Sequence, residues 1–114
     1  MGDGQDVFWD FLGGVVKDLI IMLGVKRYTS YVIGEVVMYP SKDVPVENVI
    51  SYLRDKGFSL KNGDIAMYGE QSLVAVEDYE RKINGHVITV RVSYSKWMGV
   101  KDWKTRVNWV MISV

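Results

Sequence analysis

From Val7 to Val25 the chain reads VFWDFLGGVVKDLIIMLGV, and the polar positions Asp6, Asp10, Gly13, Lys17 and Gly24 recur at spacings near 3.6 residues, with Ile21 between the last two. That period predicts a helix over about residues 6–24 with a narrow polar stripe. Phe8, Phe11, Leu12, Val15 and Leu19 fall outside the stripe, in an apolar band broader than one helix face. A band of that width is buried in the chain's own core or is partly covered by a second subunit, which makes these five positions the candidate oligomer contacts. Gly13-Gly14 permits either a close backbone approach or a kink, at a cost of about 1 kcal/mol per glycine relative to alanine. An acidic flank and the charges of Asp10, Lys17 and Asp18 argue against a signal peptide or a membrane span. A polar face built mostly of aspartate also argues against attachment to a membrane surface.

The next stretch, YTSYVIGEVVMY from Tyr28 to Tyr39, is rich in β-branched and aromatic residues and stops at Pro40. It predicts one strand, apolar in both alternating sets and so covered on both faces. SKDVPVENVISYLRDKGF then predicts a helix over about 45–56, with Asp43 as N-cap, Pro45 near the first turn and Gly57 as terminator. Val46, Val49, Ile50 and Leu53 line its apolar side.

Beyond Phe58 the pattern turns to strands. Asn62-Gly63 and Asn84-Gly85 each predict a two-residue hairpin turn, the first placing Lys61 opposite Asp64. Around the second, an unbulged register sets Asp78 across from Arg91 but also Glu77 against Val92 and Arg81 against Ile88. Those poor matches suggest a bulge or an outer strand. For the last hairpin, a loop over Met98 to Asp102 puts Trp97 opposite Trp103, Val90 against Val110, Ile88 against Ile112 and Arg91 across from Trp109. Three tryptophans, Trp97, Trp103 and Trp109, then share the face opposite the aliphatic one.

These elements define a single α+β domain over residues 1–114, with a mostly antiparallel sheet of five or six strands. The 45–56 helix packs on one face, and the N-terminal helix covers the other face or a neighbouring subunit. The length suits one core that buries roughly two-thirds of the unfolded surface. The absence of cysteine excludes disulfides and thiolate metal sites and fits a cytoplasmic setting.

Charge changes the picture only locally. The chain has 14 basic and 14 acidic residues, which argues against indiscriminate coating of nucleic acid. The two ends are nevertheless opposite: Lys17 stands against Asp3, Asp6, Asp10 and Asp18 near the N-terminus, whereas Arg91, Lys96, Lys101, Lys104 and Arg106 face Asp102 alone near the C-terminus.

Candidate chemistry is sparse. The one histidine, His86, follows a turn, where an exposed residue is the ordinary case; no nucleophile elbow, phosphate loop, dinucleotide turn or zinc helix is present. Glu77, Asp78 and Glu80 could supply paired carboxylates, but alternation along a strand points Glu77 away from the other two. No cofactor, metal or small-molecule substrate is inferred. The leading expectation is a non-catalytic interaction module, a homo-oligomer or the small subunit of an assembly, contacting itself or another protein. Its contacts are the N-terminal helix and a partner-binding hairpin made of Lys96, Trp97, Lys101, Trp103, Lys104 and Arg106. The alternative is a single-stranded nucleic-acid binder that stacks bases on Trp97 and Trp103 between those cations. A carboxylate-based enzyme ranks third.

Overall fold

The computed structural model describes residues 4–25, 28–29, 34–68, 72–98 and 103–114. In chain order the elements are α1 (Gly4–Leu23), β1 (Tyr28–Thr29), β2 (Glu35–Met38), α2 (Val46–Asp55), β3 (Ser59–Tyr68), β4 (Ser72–Ile83), β5 (His86–Met98) and β6 (Trp103–Ser113). The strands form one antiparallel sheet in the order β1-β2-β6-β5-β4-β3. β3 to β6 make a meander, and β2 closes against β6 on its far side. The α+β class is as the sequence predicts. The stretch expected as one strand from Tyr28 instead contributes the short β1 and β2, which pair with each other as Tyr28↔Met38 and Thr29↔Val37. Residues 30–33 lie outside the described residues.

Both helices lie on the same side of the sheet. Phe8, Val15, Leu19 and Leu23 of α1 and Val46, Val49 and Leu53 of α2 join one buried cluster with Ile88, Val90 and Val92 of β5 and Val110 and Ile112 of β6. The expectation that the N-terminal helix covers the opposite face is therefore corrected. The physical reason is compositional: the other face carries Thr89, Arg91, Ser93, Ser95, Asp78 and Glu80 at its centre, which cannot repay the burial of an apolar helix stripe. The helices also meet each other, the Tyr52 hydroxyl donating to Asp18 Oδ2 at 2.6 Å. Strands of 11 to 13 residues run to about 40 Å, whereas a ten-residue helix spans about 15 Å. The molecule is accordingly long, 57 × 29 × 26 Å.

Both helices stop in the same way. At the end of α1, Gly24 takes φ +65, its N–H bonds the Ile21 carbonyl, and Val25 N–H reaches back to Ile20. At the end of α2, Gly57 takes φ +83, its N–H bonds Arg54, and Phe58 N–H reaches Leu53. Each is a Schellman closure, and Phe58 and Leu53 supply its usual apolar contact inside the core. Asp43 does not cap α2: Pro45 holds the N-cap position with no side-chain bond, and Asp43 pairs with Arg106 at 3.3 Å instead.

Glycines within α1 and at the end of α2 should respond oppositely to alanine. A Cβ at Gly13 or Gly14 meets nothing within 4 Å, and both lie in a continuous helix, so each Gly→Ala change should stabilise by about 0.5–1 kcal/mol. At Gly57 the φ is positive, and a methyl group would stand 3.1 Å from the Arg81 guanidinium. Gly57→Ala should therefore cost about 1–2 kcal/mol. Urea denaturation of the three single variants checks both signs; equal effects would show that conformation at these sites does not decide them.

Candidate interaction surface

The distal part of β5 and β6 is the region that the sequence marks for partner binding, and its geometry turns on one residue. Pairing runs from Thr89↔Ser113 to Ser93↔Trp109, passes over Asn108, and resumes at Tyr94↔Val107. This bulge switches the parity of β6. On one side of it Val110 and Ile112 share the helix-covered face; on the other Val107, 5% exposed, takes that same face. Val90 therefore meets Ile112 and Val92 meets Val110, two residues from the expected register but on the expected side.

Towards the hairpin tip the switch has a larger effect. Trp97 pairs with Lys104 and Met98 with Trp103, so Trp97 does not stand opposite Trp103 and the two occupy opposite parities of the ladder. The expected face of three aligned tryptophan positions is thus corrected, the bulge at Asn108 being the cause. Lys96 pairs with Thr105 on the helix-covered side, whereas Arg106 pairs with Ser95 on the other. The side chains of Trp97, Trp103 and Lys104 lie outside the described part, and Lys101 lies outside the described residues altogether. The register removes the geometric reason for treating the tip as one stacking platform for bases.

The face without helices has its own order. Arg91 stands across from Asp78 and from Met111, not from Trp109. Its Nε and a terminal nitrogen donate to the two Asp78 oxygens at 2.7 and 3.2 Å. This hydrogen bonding raises the Arg91 pKa further above its ordinary value, against a smaller opposing effect of burial. Beside it, Asn108 donates to Ser95 Oγ at 2.8 Å and to Ser93 Oγ at 3.4 Å. The residue extruded by the bulge thereby satisfies Ser93, which is only 2% exposed. Val37, Met111, Trp109, Val76 and Val74 flank these polar groups on the same face.

The three carboxylates of β4 do not converge. Glu77 lies on the helix side, accepting hydrogen bonds from Tyr79 at 2.5 Å and Tyr94 at 2.7 Å. Asp78 is taken by Arg91, and Glu80 pairs with Lys61 at 3.0 Å. The β4–β5 register is unbulged throughout, and β4 is an inner strand. The mismatches that suggested otherwise are resolved by side chains: the two phenols satisfy Glu77 beside Val92, while Arg81 lies over the Phe11 ring at 4.4 Å and donates to the Lys56 carbonyl. The phenol pair on Glu77 was missed from sequence, although Glu77 and Tyr79, two apart in a strand, must share a face. Burial and then the Glu77 bond push the Tyr94 pKa up to about 12. Tyr79 is raised by the same two causes, and Tyr52 by burial and its bond to Asp18.

Of the α1 residues predicted as oligomer contacts, Phe8, Val15 and Leu19 are buried in the chain's own core, and Phe11 and Leu12 pack partly against it. The apolar side chains that α1 leaves exposed are Val7, Trp9 and Ile21, at 53%, 58% and 64%. Trp9 stands between two grooves. One, of about 350 Å³, is lined by Phe8, Trp9, His86, Val87 and Val114; the other, about 230 Å³, by Trp9, Leu12, Val16, Val36, Ile112 and Val114 among others. His86 is exposed, its ring 4.9 Å from that of Phe8. No helix among the described residues is long and apolar enough to cross a membrane. No protein-family model matches the chain, nor does a curated protein or a solved structure.

Proposed function

We propose that this protein is a non-catalytic interaction module that works as a homo-oligomer or as the small subunit of an assembly. The observation that carries the reading is the apolar rim around Trp9. Trp9, Val87 and Val114, at 58%, 39% and 50% exposure, line adjoining grooves at the junction of α1 with the sheet. Large apolar groups gathered at grooves mark contact surfaces more often than the same groups scattered singly. The face without helices supports the same reading, since its valines, Met111 and Trp109 are covered by neither α1 nor α2. In this reading the α1 contribution shifts from the buried Phe8, Val15 and Leu19 to the exposed Val7 and Trp9.

Sedimentation equilibrium of the full chain tests it. The expected outcome is a mass above 13.0 kDa that rises with concentration, together with a change in tryptophan emission as association proceeds. A concentration-independent monomer would remove the homo-oligomer and leave only a foreign partner for the rim.

A further inference from the structure

We propose that β3 is the seam of a symmetric dimer, pairing antiparallel with β3 of a second copy so that the two sheets become continuous. β3 is the outermost strand on its side, ten residues long and without proline. Natural edges of that length are ordinarily shortened, covered or interrupted, because their outer N–H and C=O groups form a template for another strand. Among the described residues the opposite edge, β1, is two residues long.

The sequence of β3 is arranged to meet itself. Asn62-Gly63, a turn signal, does not turn here: Gly63 lacks a positive φ and the ladder to β4 runs on from Asn62↔Asp78 to Tyr68↔Ser72. The centre of a reversed pattern is thus left along an open edge. With a two-fold axis through Gly63, normal to the sheet, no side chain sits on the axis, and Asn62 of each copy pairs with Asp64 of the other. Lys61 is the extra residue of a bulge, the register stepping from Leu60↔Tyr79 directly to Asn62↔Asp78. That extra residue keeps both flanks in phase, because Leu60 then falls opposite the Ile65 position on the helix-covered side, where each already belongs through Tyr79 and Ala75. It also sets Lys61 beside Asp64 of the second copy, twice in the dimer.

The alternative use of this edge is protection, since a lysine on a bulge is a known device against strand pairing. Self-complementarity distinguishes the two. A protective charge needs no partner across the edge, whereas here an exposed aspartate lies where a second copy would bring that lysine. Leu60, 52% exposed, would also gain cover on pairing. The occupant is a second copy because the match is of the strand with its own reverse, in charge, face and register together. A foreign strand would need only the backbone groups.

This inference rests on the self-association reading, and a charge swap separates the two. Asp64→Lys places like charges at both symmetric sites, as does Lys61→Glu; each variant alone should weaken dimerisation roughly tenfold or more, since like charges opposite one another in a ladder repel where the parent pair attracts. Mixing the two variants in equal amounts should restore parent-like association, because every cation in the mixed pair again meets an anion. Sedimentation reads the association, and thermal unfolding confirms that both variants fold. If the parent associates and both variants associate as tightly, β3 is not the seam, although self-association stands. If the parent stays monomeric at about 1 mM, both are overturned. Amide exchange on the unaltered protein gives an independent readout: alternate amides of Ser59–Tyr68 should gain protection as concentration rises, and unchanged exchange there would reject the seam.

Discussion

Leu19→Ala is expected to lower the unfolding free energy by about 2–5 kcal/mol, the range for truncating a leucine in a packed interior. Leu19 has no exposed surface and sits in the cluster shared by α1, α2 and the sheet. Two residues on, Ile21 is 64% exposed, and Ile21→Ala should change stability by no more than about 0.5 kcal/mol. The contrast matters because α1 could have belonged to a neighbouring subunit. Were that so, Leu19→Ala would disturb assembly and leave the stability of the isolated domain nearly intact. Urea titrations of both variants, with the m-value followed to confirm that the native state is still compact, decide between these outcomes.

Alkaline unfolding should be steep. Tyr52, Tyr79 and Tyr94 all have pKa values above the ordinary 10.0, with Tyr94 at about 12. Each phenol is held neutral in the fold, by burial first and by donation to a carboxylate second, and ionises freely once the chain unfolds. A raised folded-state pKa contributes stability that is complete below the unfolded value and is lost as pH climbs through the folded one. The loss should begin near pH 10 and continue towards pH 12, at about 1.4 kcal/mol per pH unit for each tyrosine still neutral in the fold. Tyrosinate absorbance followed with circular dichroism should show ionisation and unfolding together. Tyr79→Phe and Tyr94→Phe should flatten the dependence, since neither can ionise. Full retention of structure at about pH 12 with all tyrosines titrated would contradict the account.

Much of the architecture is legible along the chain, and the exceptions have identifiable causes. α2 reads directly from Val46, Val49 and Leu53 because local period and tertiary burial agree. Asn62-Gly63 and Asn84-Gly85 give the same local signal, yet only the second turns, with Asn84 at φ 50 and Gly85 at φ 83. A turn at Asn62 would leave strand arms of about three residues, whereas a straight β3 gains a ladder along most of β4; long-range pairing outweighs the turn preference. The bulge at Asn108 does leave a trace, since Val107 and Val110 are an odd number of residues apart and can share a face only if one residue is passed over. Without that step the face assignments near Ile88 and Val90 come out correctly, as does that of the Trp97 position on the unbulged β5, while those of the Trp103, Thr105 and Val107 positions on β6 do not. Which side α1 would take is not visible in its own periodicity, because that choice depends on the polarity of a sheet assembled from residues far along the chain.

The position of β2 has a kinetic consequence. β3 to β6 are sequence neighbours joined as hairpins, so their contacts close short loops and carry little entropic cost. β2, by contrast, pairs with β6 across about two-thirds of the chain, Glu35 meeting Ser113, with α2 and β3 to β5 between them. The four-strand meander is therefore the expected nucleus, with α1 and β2 expected to dock late onto it, an order that high φ-values in β4 and β5 and low ones in β2 would bear out.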